Sequence, residues 1–493
     1  MQVKHLPSNA MARLSSDGDR PAVTLVPLDG EWVAGHQVMR VEAPYDGRLL
    51  GVVPAFGVAE VDRAVAGART ALDTPFPSWR RAEVLDRAAV RLAGRGEEFA
   101  RCIALESAKP IRTARAEVRR AVSTLVFSAA VARGLTGETV PLEAAAAGEG
   151  KIGFTLRVPV GVVGAIAPFN FPLNLVVHKL GPAIAAGCPV VLKPAEQTPF
   201  SSVLLAELLI DECGLPPGYL HVIPGDGPTV GGALVDHPDV ALITFTGSPD
   251  VGWAIRQRAP RKRVSLELGG NAPVIIEPDS DWRDAVAKIA VAGFSHAGQS
   301  CVSTQRVLVH AGVVREVITA LTEAVERLVV GDPLDEATDV SALISHAARD
   351  RVIAWIDEAV AQGARVATGG DVTGDGVLRP TVLVDARPSM KVCAEEVFGP
   401  VVAVTAYGDF AEALRMANDT RFGLQAGVYT ADLGKALTAA RVLDYGGVLI
   451  NAVPTWRVDH QPYGGKRDSG NTREGPAWAV REMTEERLIV LAG

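Results

Sequence analysis

The chain has 493 residues, too many for one small hydrophobic core, so its length predicts two or more domains. Hydrophobic residues make up 48% and charged residues 22%, which is ordinary for a folded soluble protein. The formal charge of −8 is spread along the chain without a basic block, and this argues against nonspecific binding of nucleic acid.

Cysteine and histidine usage excludes further classes. The five cysteines contain no Cys-x-x-Cys pair, so neither a structural zinc site nor a disulfide framework is expected. The nine histidines form no cluster with ligand spacing, and we therefore predict no metal. The chain shows no signal-peptide pattern and no uninterrupted apolar stretch of about 18 residues. We therefore expect a cytoplasmic protein that does not contact the membrane.

In chain order, a polar and patternless arm at residues 1–20 is followed by helical periodicity from Ala59 to Arg133. Gly- and Ala-rich residues then lead to a strand at 154–160. Strands are next predicted at 161–167, 188–193, 220–224 and 241–245, with helices at 173–186 and 201–211. Apolar strands that alternate with helices predict a parallel sheet covered on both faces.

A second alternating block extends from Ala272 to about Asn451. Its predicted strands are 272–276, 305–310 and 446–451, and its predicted helices are 282–297 and 314–330. The segment from Glu485 to Leu491 is predicted to be a terminal strand that could add to the sheet of another chain. The two blocks together predict an α/β fold.

Cys301 is a candidate nucleophile. An isolated cysteine is most often a small buried hydrophobe, and a reactive one needs a thiol pKa below its usual value of about 8.5. The preceding residues Gly298, Gln299 and Ser300 are expected to expose backbone around the sulfur instead of burying it. This setting favours reactivity and predicts a lowered thiol pKa.

Glu267 and Asn170 are candidates for the base and the oxyanion donor. Glu267 stands between two leucines and before Gly269 and Gly270, so its carboxyl either is solvated at a strand end or has a raised pKa that suits a general base. Asn170 lies in the turn Pro168–Pro172. It either makes an Asx turn or offers a rigid amide N–H to an oxyanion.

Two strand ends are candidate nucleotide contacts. Lys193 and Glu196 follow a strand, where α/β sheets bind ligands, and a carboxylate there accepts hydrogen bonds from both ribose hydroxyls but repels a 2′-phosphate. Thr246-Gly-Ser248 opens a helix and could hold a pyrophosphate. No Gly-x-Gly-x-x-Gly fingerprint follows either strand.

From about residue 25 to its end, the chain resembles the aldehyde dehydrogenase superfamily. The motifs that carry the resemblance are Pro168-Phe-Asn-Phe-Pro172, Lys193-Pro-Ala-Glu-Gln-Thr-Pro199, Phe245-Thr-Gly-Ser248, Leu266-Glu-Leu-Gly-Gly270, Gly298-Gln-Ser-Cys301 and Glu395-Glu-Val-Phe-Gly-Pro400. The resemblance implies two parallel-sheet α/β domains and a small β oligomerisation arm, assembled as a homodimer or homotetramer. The implied boundaries are an NAD-binding domain at 21–134 and 158–266, the arm at 135–157 and 480–493, and a catalytic domain at 267–479.

The resemblance also implies catalytic roles. Cys301 would attack a small-molecule aldehyde to give a thiohemiacetal, with Asn170 holding its oxyanion, and Glu267 would activate water to hydrolyse the resulting thioester. Lys179 and Glu474 match positions assigned to proton relay. The implied cofactor is NAD, favoured over NADP by Glu196. The predicted cofactor contacts are Ile166, Pro168, Phe169, Lys193, Glu196, Gly247, Ser248, Gly269, Glu396 and Phe398.

The expected substrate is less narrowly defined. The stretch from Arg457 to Gly465 resembles the branch of lactaldehyde, phosphonoacetaldehyde and non-phosphorylating glyceraldehyde-3-phosphate dehydrogenases. In that branch, arginines at the positions of Arg457 and Arg120 contact an anionic end of the substrate. Phosphate-handling members often carry arginine where this chain has Ser300, also a predicted substrate contact. An anionic aldehyde and a neutral hydroxyaldehyde both remain open. A coenzyme A-acylating enzyme and a catalytically silent binding protein of the same fold are the alternatives.

Overall fold

A five-stranded parallel sheet forms the centre of the first half of the chain. The computed structural model describes residues 23–492, so the arm predicted at residues 1–20 lies outside the described residues. From edge to edge the strands are Arg263–Glu267, Val240–Thr246, Val162–Ile166, Val190–Lys193 and Leu220–Val222. All four neighbouring pairs are parallel, as the alternation of strands and helices predicts.

A seven-stranded sheet forms the centre of the second half. Its strands, in spatial order, are Arg365–Thr368, Thr381–Val384, Val401–Tyr407, Arg306–His310, Pro273–Ile276, Gln425–Tyr429 and Gly447–Ile450. The first two pair antiparallel, and every other neighbouring pair is parallel. The two sheets have separate hydrophobic cores. Each sheet therefore forms a unit together with the helices that pack on it.

Helices cover both sheets. The helical stretch predicted from Ala59 to Arg133 is four helices, and Pro77 and Pro110 stand immediately before the second and the fourth because proline does not continue a helix. The helices around the first sheet are Val58–Leu72, Ser78–Gly94, Gly96–Ser107, Ile111–Gly134, Asn174–Ala186, Phe200–Glu207, Gly232–Asp236 and Pro249–Arg258. Those of the second half are Trp282–Ala292, Val314–Glu326, His346–Ala361, Lys391–Ala394, Phe410–Asn418, Leu433–Val442 and Pro476–Glu482.

The helix predicted at 282–297 is shorter in the structure. It ends at Ala292, and a short 3-10 turn follows at Ser295–Gly298. His296 and Ala297 adopt left-handed backbone angles, with φ values of 51° and 53°, and Gly298 has a φ of 71°. Because an α-helix cannot continue through left-handed residues, the chain turns here before the segment that carries Cys301.

A three-stranded antiparallel sheet forms a separate arm. Its central strand Lys151–Pro159 pairs on one side with Thr139–Val140 and on the other with Thr484–Ala492. The terminal strand pairs along one side with the central strand of its own chain, and its addition to the sheet of another chain stays a prediction. It begins after the helix Pro476–Glu482, which occupies part of the segment assigned to the arm. The oligomerisation role of this sheet stays a prediction.

The remaining strands form three short antiparallel pairs. They are Val26–Leu28 with Glu31–Val33, Val38–Glu42 with Leu49–Pro54, and Phe422–Gly423 with Lys466–Arg467. Among residues 23–492, no helix combines the length and the apolar character needed to cross a bilayer.

Candidate active site

A cavity of about 220 Å³ is lined by most of the side chains that the sequence predicts to be catalytic or to contact the substrate. Of the predicted catalytic and substrate residues, those in its wall are Cys301, Glu267, Glu474, Arg120, Ser300 and Arg457. Asn170 and Lys179 reach the same region through hydrogen bonds to neighbouring residues. The structure thus brings together residues that are separated by more than 350 positions in the chain.

The Cys301 thiol lies 3.0 Å from the hydroxyl of Tyr463. Loss of solvent raises the pKa of Cys301 to about 12, and the charges of Glu396 and Glu267 act in the same direction, against the stabilising hydroxyl of Tyr463. The prediction of a lowered thiol pKa is therefore wrong. The expectation of exposed backbone around the sulfur is not met, because Gly298 and Gln299 are both buried, and loss of solvent and negative charges raise the thiol pKa.

Glu267 ends the edge strand of the five-stranded sheet, and its side chain is buried. Neither carboxyl oxygen has a hydrogen-bond partner among the described residues. Burial raises the pKa of Glu267 well above its usual value, and the negative charge of Glu474 adds to this effect, which is the direction that the flanking leucines predict. A Cβ atom at Gly464 would lie 2.7 Å from one carboxyl oxygen, so the glycine leaves room for this side chain.

Glu474 is the ionised member of this pair of carboxyl groups. Its Oε2 accepts a hydrogen bond of 2.8 Å from Arg457, and both side chains are more than 90% buried. Burial opposes the charge, but the positive groups around Glu474, among them Arg457 and Lys179, lower its pKa. Since one carboxyl pKa is raised and the other is lowered, Glu267 holds the proton while Glu474 stays charged.

Lys179 lies beside both carboxyl groups. Its Nζ donates to Thr246 Oγ1 at 2.7 Å and to Thr244 Oγ1 at 3.2 Å, and Thr246 belongs to the cavity wall. Burial lowers the pKa of Lys179 to about 8, opposed by the charges of Glu474 and Glu267. A lysine that can lose its proton near neutral pH, beside two carboxyls, suits the predicted proton relay.

Asn170 is held by a buried network at the start of the helix Asn174–Ala186. Its Nδ2 donates to the Gln299 carbonyl at 2.8 Å, and its own carbonyl accepts a hydrogen bond of 2.7 Å from Lys109. Lys109 is ion-paired with Glu117, and neither side chain is exposed. Glu117 in turn accepts the N–H groups of residues 173 and 174 at 3.0 Å. The second amide hydrogen of Asn170 has no part in this network and can meet an oxyanion.

Both predicted substrate arginines line the cavity, and each has a carboxylate partner. Arg120 pairs with Asp459 at 2.8 Å, and its side chain is 31% exposed, whereas that of Arg457 is 7% exposed. Arg119 lines a different surface cleft, so the assignment of Arg120 over its neighbour is supported. Sequence reasoning missed Asp459 and Tyr463, although both lie inside the quoted stretch from Arg457 to Gly465.

Several of the predicted cofactor contacts lie at the carboxyl end of the five-stranded sheet. Glu196 Oε1 accepts the Gly227 N–H at 3.0 Å and lies 3.8 Å from Lys193 Nζ. Ile166 ends the central strand just before Pro168 and Phe169. Gly247 and Ser248 stand directly before the helix Pro249–Arg258. The Glu196 carboxylate, the Lys193 cation and the N-terminus of the helix Pro249–Arg258 all lie at the carboxyl ends of the strands, where α/β proteins bind dinucleotides. These residues therefore fit NAD or NADP.

The predicted nicotinamide contacts lie between the two α/β units. Glu396 accepts the Gly270 N–H at 3.0 Å, and burial raises the pKa of this carboxyl to about 7. A Cβ atom at Gly269 would lie 2.0 Å from Glu396 Oε2, so only glycine allows this approach. The rings of Phe169 and Phe398 meet edge to face, with centroids 5.8 Å apart. The cofactor roles of these residues remain a proposal.

The same combination of fold and cavity is known from a family of oxidoreductases. The model of the aldehyde dehydrogenase family matches residues 32–489, and the chain belongs to this family. The resemblance stated from the motifs and the predicted fold class are both confirmed.

Three proteins of known name are similar to this chain over nearly its whole length. The 3-sulfolactaldehyde dehydrogenase of Priestia aryabhattai is 47% identical over 464 residues, which cover 94% of this chain and 97% of that protein. The lactaldehyde dehydrogenase of Methanococcus aeolicus is 36% identical over 470 residues, covering 94% and 99%. The crystal structure of the NADP-dependent glyceraldehyde-3-phosphate dehydrogenase from Bacillus halodurans, complexed with NADP, matches with a TM-score of 0.92 at 35% identity. That match covers 96% of this chain and 99% of the other.

Proposed function

We propose that this protein oxidises a small anionic or hydroxylated aldehyde to the carboxylic acid with NAD, through a thioester on Cys301. The observation that carries the proposal is the shared cavity of Cys301 and a buried Glu267 carboxyl without a hydrogen-bond partner among the described residues. A nucleophile and a general base that face one small space can form an acyl-enzyme and then hydrolyse it.

The chain's own residues account for bond formation and proton movement. The Cys301 thiol loses its proton to solvent water in the cavity, the sulfur forms a C–S bond to the aldehyde carbon, and Asn170 stabilises the resulting oxyanion. Bound NAD supplies the acceptor for the hydride that leaves this carbon, so a thioester remains on Cys301. Glu267 then removes a proton from water, the hydroxide adds to the thioester carbonyl, and the C–S bond breaks to release the acid and the thiolate.

Hydrolysis is favoured over acyl transfer to coenzyme A. Relatives that transfer the acyl group to coenzyme A usually lack a glutamate at the position of Glu267. In this chain that glutamate is present and has no competing partner within the described part of the chain. A base that is free to bind water supports release of the acid.

Arg457 supports an anionic substrate. Its Nη2 pairs with Glu474, but its buried Nε has no partner among residues 23–492. A sulfonate, carboxylate or phosphate could accept a hydrogen bond there. A neutral hydroxyaldehyde substrate also has support, because Arg120 and Arg457 already have carboxylate partners in the protein. In addition, one similar protein is a lactaldehyde dehydrogenase.

The proposal is tested by the rate of reduced-nicotinamide formation with wild type and Cys301→Ala. We would offer lactaldehyde, succinic semialdehyde, phosphonoacetaldehyde and glyceraldehyde 3-phosphate, each with NAD and NADP. Turnover that depends on Cys301 supports the chemistry, and the fastest substrate decides between the anionic and the neutral class. Turnover that survives in Cys301→Ala would contradict it.

The cofactor preference is tested at Glu196. A carboxylate there repels a 2′-phosphate, so Glu196→Gln is expected to shift the ratio of kcat/KM for NAD over NADP about tenfold toward NADP, through both weaker binding of NAD and easier entry of NADP. The measurement is steady-state kinetics with both cofactors at saturating aldehyde. Asp250→Asn, which removes an exposed carboxylate from the helix Pro249–Arg258, is the control. An unchanged ratio in Glu196→Gln would remove this residue from cofactor discrimination.

A further inference from the structure

His296 is a buried polar residue of the cavity for which the proposed reaction has no use. It belongs to the cavity wall together with Cys301, and only 2% of its surface is exposed. Neither ring nitrogen has a hydrogen-bond partner in the described part of the chain. Buried polar groups are nearly always paired, so two unpaired nitrogens in the wall of a cavity point to a ligand as their partner.

The backbone around His296 is fixed in an uncommon conformation. The left-handed residues His296 and Ala297 are held by hydrogen bonds from Gln299, whose N and Nε2 both donate to the His296 carbonyl, at 3.1 and 3.2 Å. The Gln299 side chain is anchored in turn by the Ile344 N–H at 2.9 Å. These contacts hold the backbone and leave the imidazole ring free to face the cavity.

The surroundings of His296 decide its protonation state. The Phe171 ring lies edge to face with the imidazole, at 6.4 Å between centroids, and the positive charge of Lys109 acts on it. Burial, together with that charge, lowers the pKa of His296 well below its usual value, so the ring is neutral near pH 7. A neutral imidazole has one N–H donor and one nitrogen acceptor.

This pattern selects among ligand groups. A carboxylate, sulfonate or phosphate oxygen can only accept from the N–H of this ring, and an ammonium can only donate to the other nitrogen. Because the two nitrogens point away from each other, one ligand group meets only one of them and must suit the nitrogen that it meets. A hydroxyl group donates and accepts, as the neutral imidazole does. We infer that His296 is a specificity-determining residue that recognises a hydroxyl group on the short chain of the aldehyde substrate. The inference rests on the proposed function and narrows its substrate class to hydroxyaldehydes, with or without an anionic end.

The test compares aldehydes that differ by one hydroxyl. Propanal, 2-hydroxypropanal and 3-hydroxypropanal would be offered to wild type, His296→Ala and His296→Asn. Alanine can hold the left-handed backbone, as Ala297 does, and asparagine tolerates it while keeping a donor and an acceptor. We expect wild type to prefer one hydroxyaldehyde over propanal by about tenfold in kcat/KM, His296→Ala to lose this preference, and His296→Asn to retain part of it.

The outcomes separate a recognition role from a packing role. If His296 only packs against Phe171, His296→Ala lowers kcat/KM equally for all three aldehydes, and the inference is overturned. It is also overturned if wild type shows no preference. If none of these three neutral aldehydes is oxidised, the proposed function is decided separately by the anionic aldehydes named above, and the subsite is tested by protection of Cys301 against alkylation. Stronger protection by lactate than by propionate in wild type, lost in His296→Ala, supports the subsite, and equal protection overturns it.

Discussion

Substituting Glu267→Gln is expected to stop the enzyme after its first turnover. The first half of the reaction would yield about one equivalent of reduced nicotinamide per active site, and the steady-state rate would then fall by about 10²–10⁴-fold, because an amide cannot take a proton from water. Rapid-mixing kinetics measures the burst, and mass spectrometry of the quenched protein detects the acyl group on Cys301. Release of that group by added coenzyme A, and not by water, would instead favour the acylating alternative.

The pH dependence gives an independent check on Glu267. Only the deprotonated carboxyl can act as base, and its folded-state pKa is raised, so the wild-type steady-state rate is expected to rise with pH through that raised pKa. This limb of the profile should disappear in Glu267→Gln. Glu106→Gln is a matched control, because Glu106 is also a buried carboxyl with a raised pKa but does not line the cavity. If the rate of Glu267→Gln still rises with pH in the same range, the rise in the wild type is due to the titration of another group.

Of the substitutions named for this protein, Lys109→Met is expected to lower the free energy of unfolding the most. It would leave the Glu117 carboxylate buried without its cation, and it would remove the hydrogen bond that holds the Asn170 carbonyl. Breaking one side of a buried ion pair costs about 3–5 kcal/mol in the free energy of unfolding. Calorimetry would show the lower unfolding temperature, and a lower kcat in the folded variant would report the loosened oxyanion donor.

A control variant lies at the start of the helix Ile111–Gly134, which carries Glu117. Arg112 pairs with Asp339 at 2.5 Å, but its side chain is 51% exposed, so Arg112→Met is expected to cost no more than about 1 kcal/mol. The double variant Lys109→Met with Glu117→Gln should recover part of the loss, because no uncompensated charge is then buried. Equal destabilisation by Lys109→Met and Arg112→Met would show that the buried pair adds nothing beyond an exposed one.

Local pattern was sufficient for the strands of the first sheet. It did not predict four strands of the second sheet, which are Arg365–Thr368, Thr381–Val384, Val401–Tyr407 and Gln425–Tyr429. The strand over Val162–Ile166 and the helix over Asn174–Ala186 follow from apolar runs and helical spacing, and both are within two residues of their predicted ends. The helix predicted at 282–297 extends too far, because the observed helix ends at Ala292. Its alanines and apolar residues favour a helix, but the long-range packing around Gly298 does not, since a Cβ atom there would lie 2.1 Å from the Gly399 carbonyl oxygen.

The site was predictable in its members but not in its electrostatics. Cys301 and Glu267 were predicted from their motifs and Glu474 from the family resemblance, yet no motif shows that Glu474 is ion-paired with Arg457 while the Glu267 carboxyl has no partner within residues 23–492. The raised thiol pKa of Cys301 depends on walls and charges from distant parts of the chain. His296 stood within five residues of the nucleophile, but its two unpaired nitrogens become visible only once its surroundings are known.

The arm sheet sets an order on how the molecule is made. Its central strand Lys151–Pro159 is synthesised before both large sheets, while its partner Thr484–Ala492 is synthesised after them. At about 5–20 residues per second, the central strand waits on the order of tens of seconds for that partner. During this time its edge is open to strands of other nascent chains. Termination of translation just before Thr484 would therefore leave the strands of both large sheets present, while this edge of the strand Lys151–Pro159 would stay unpaired.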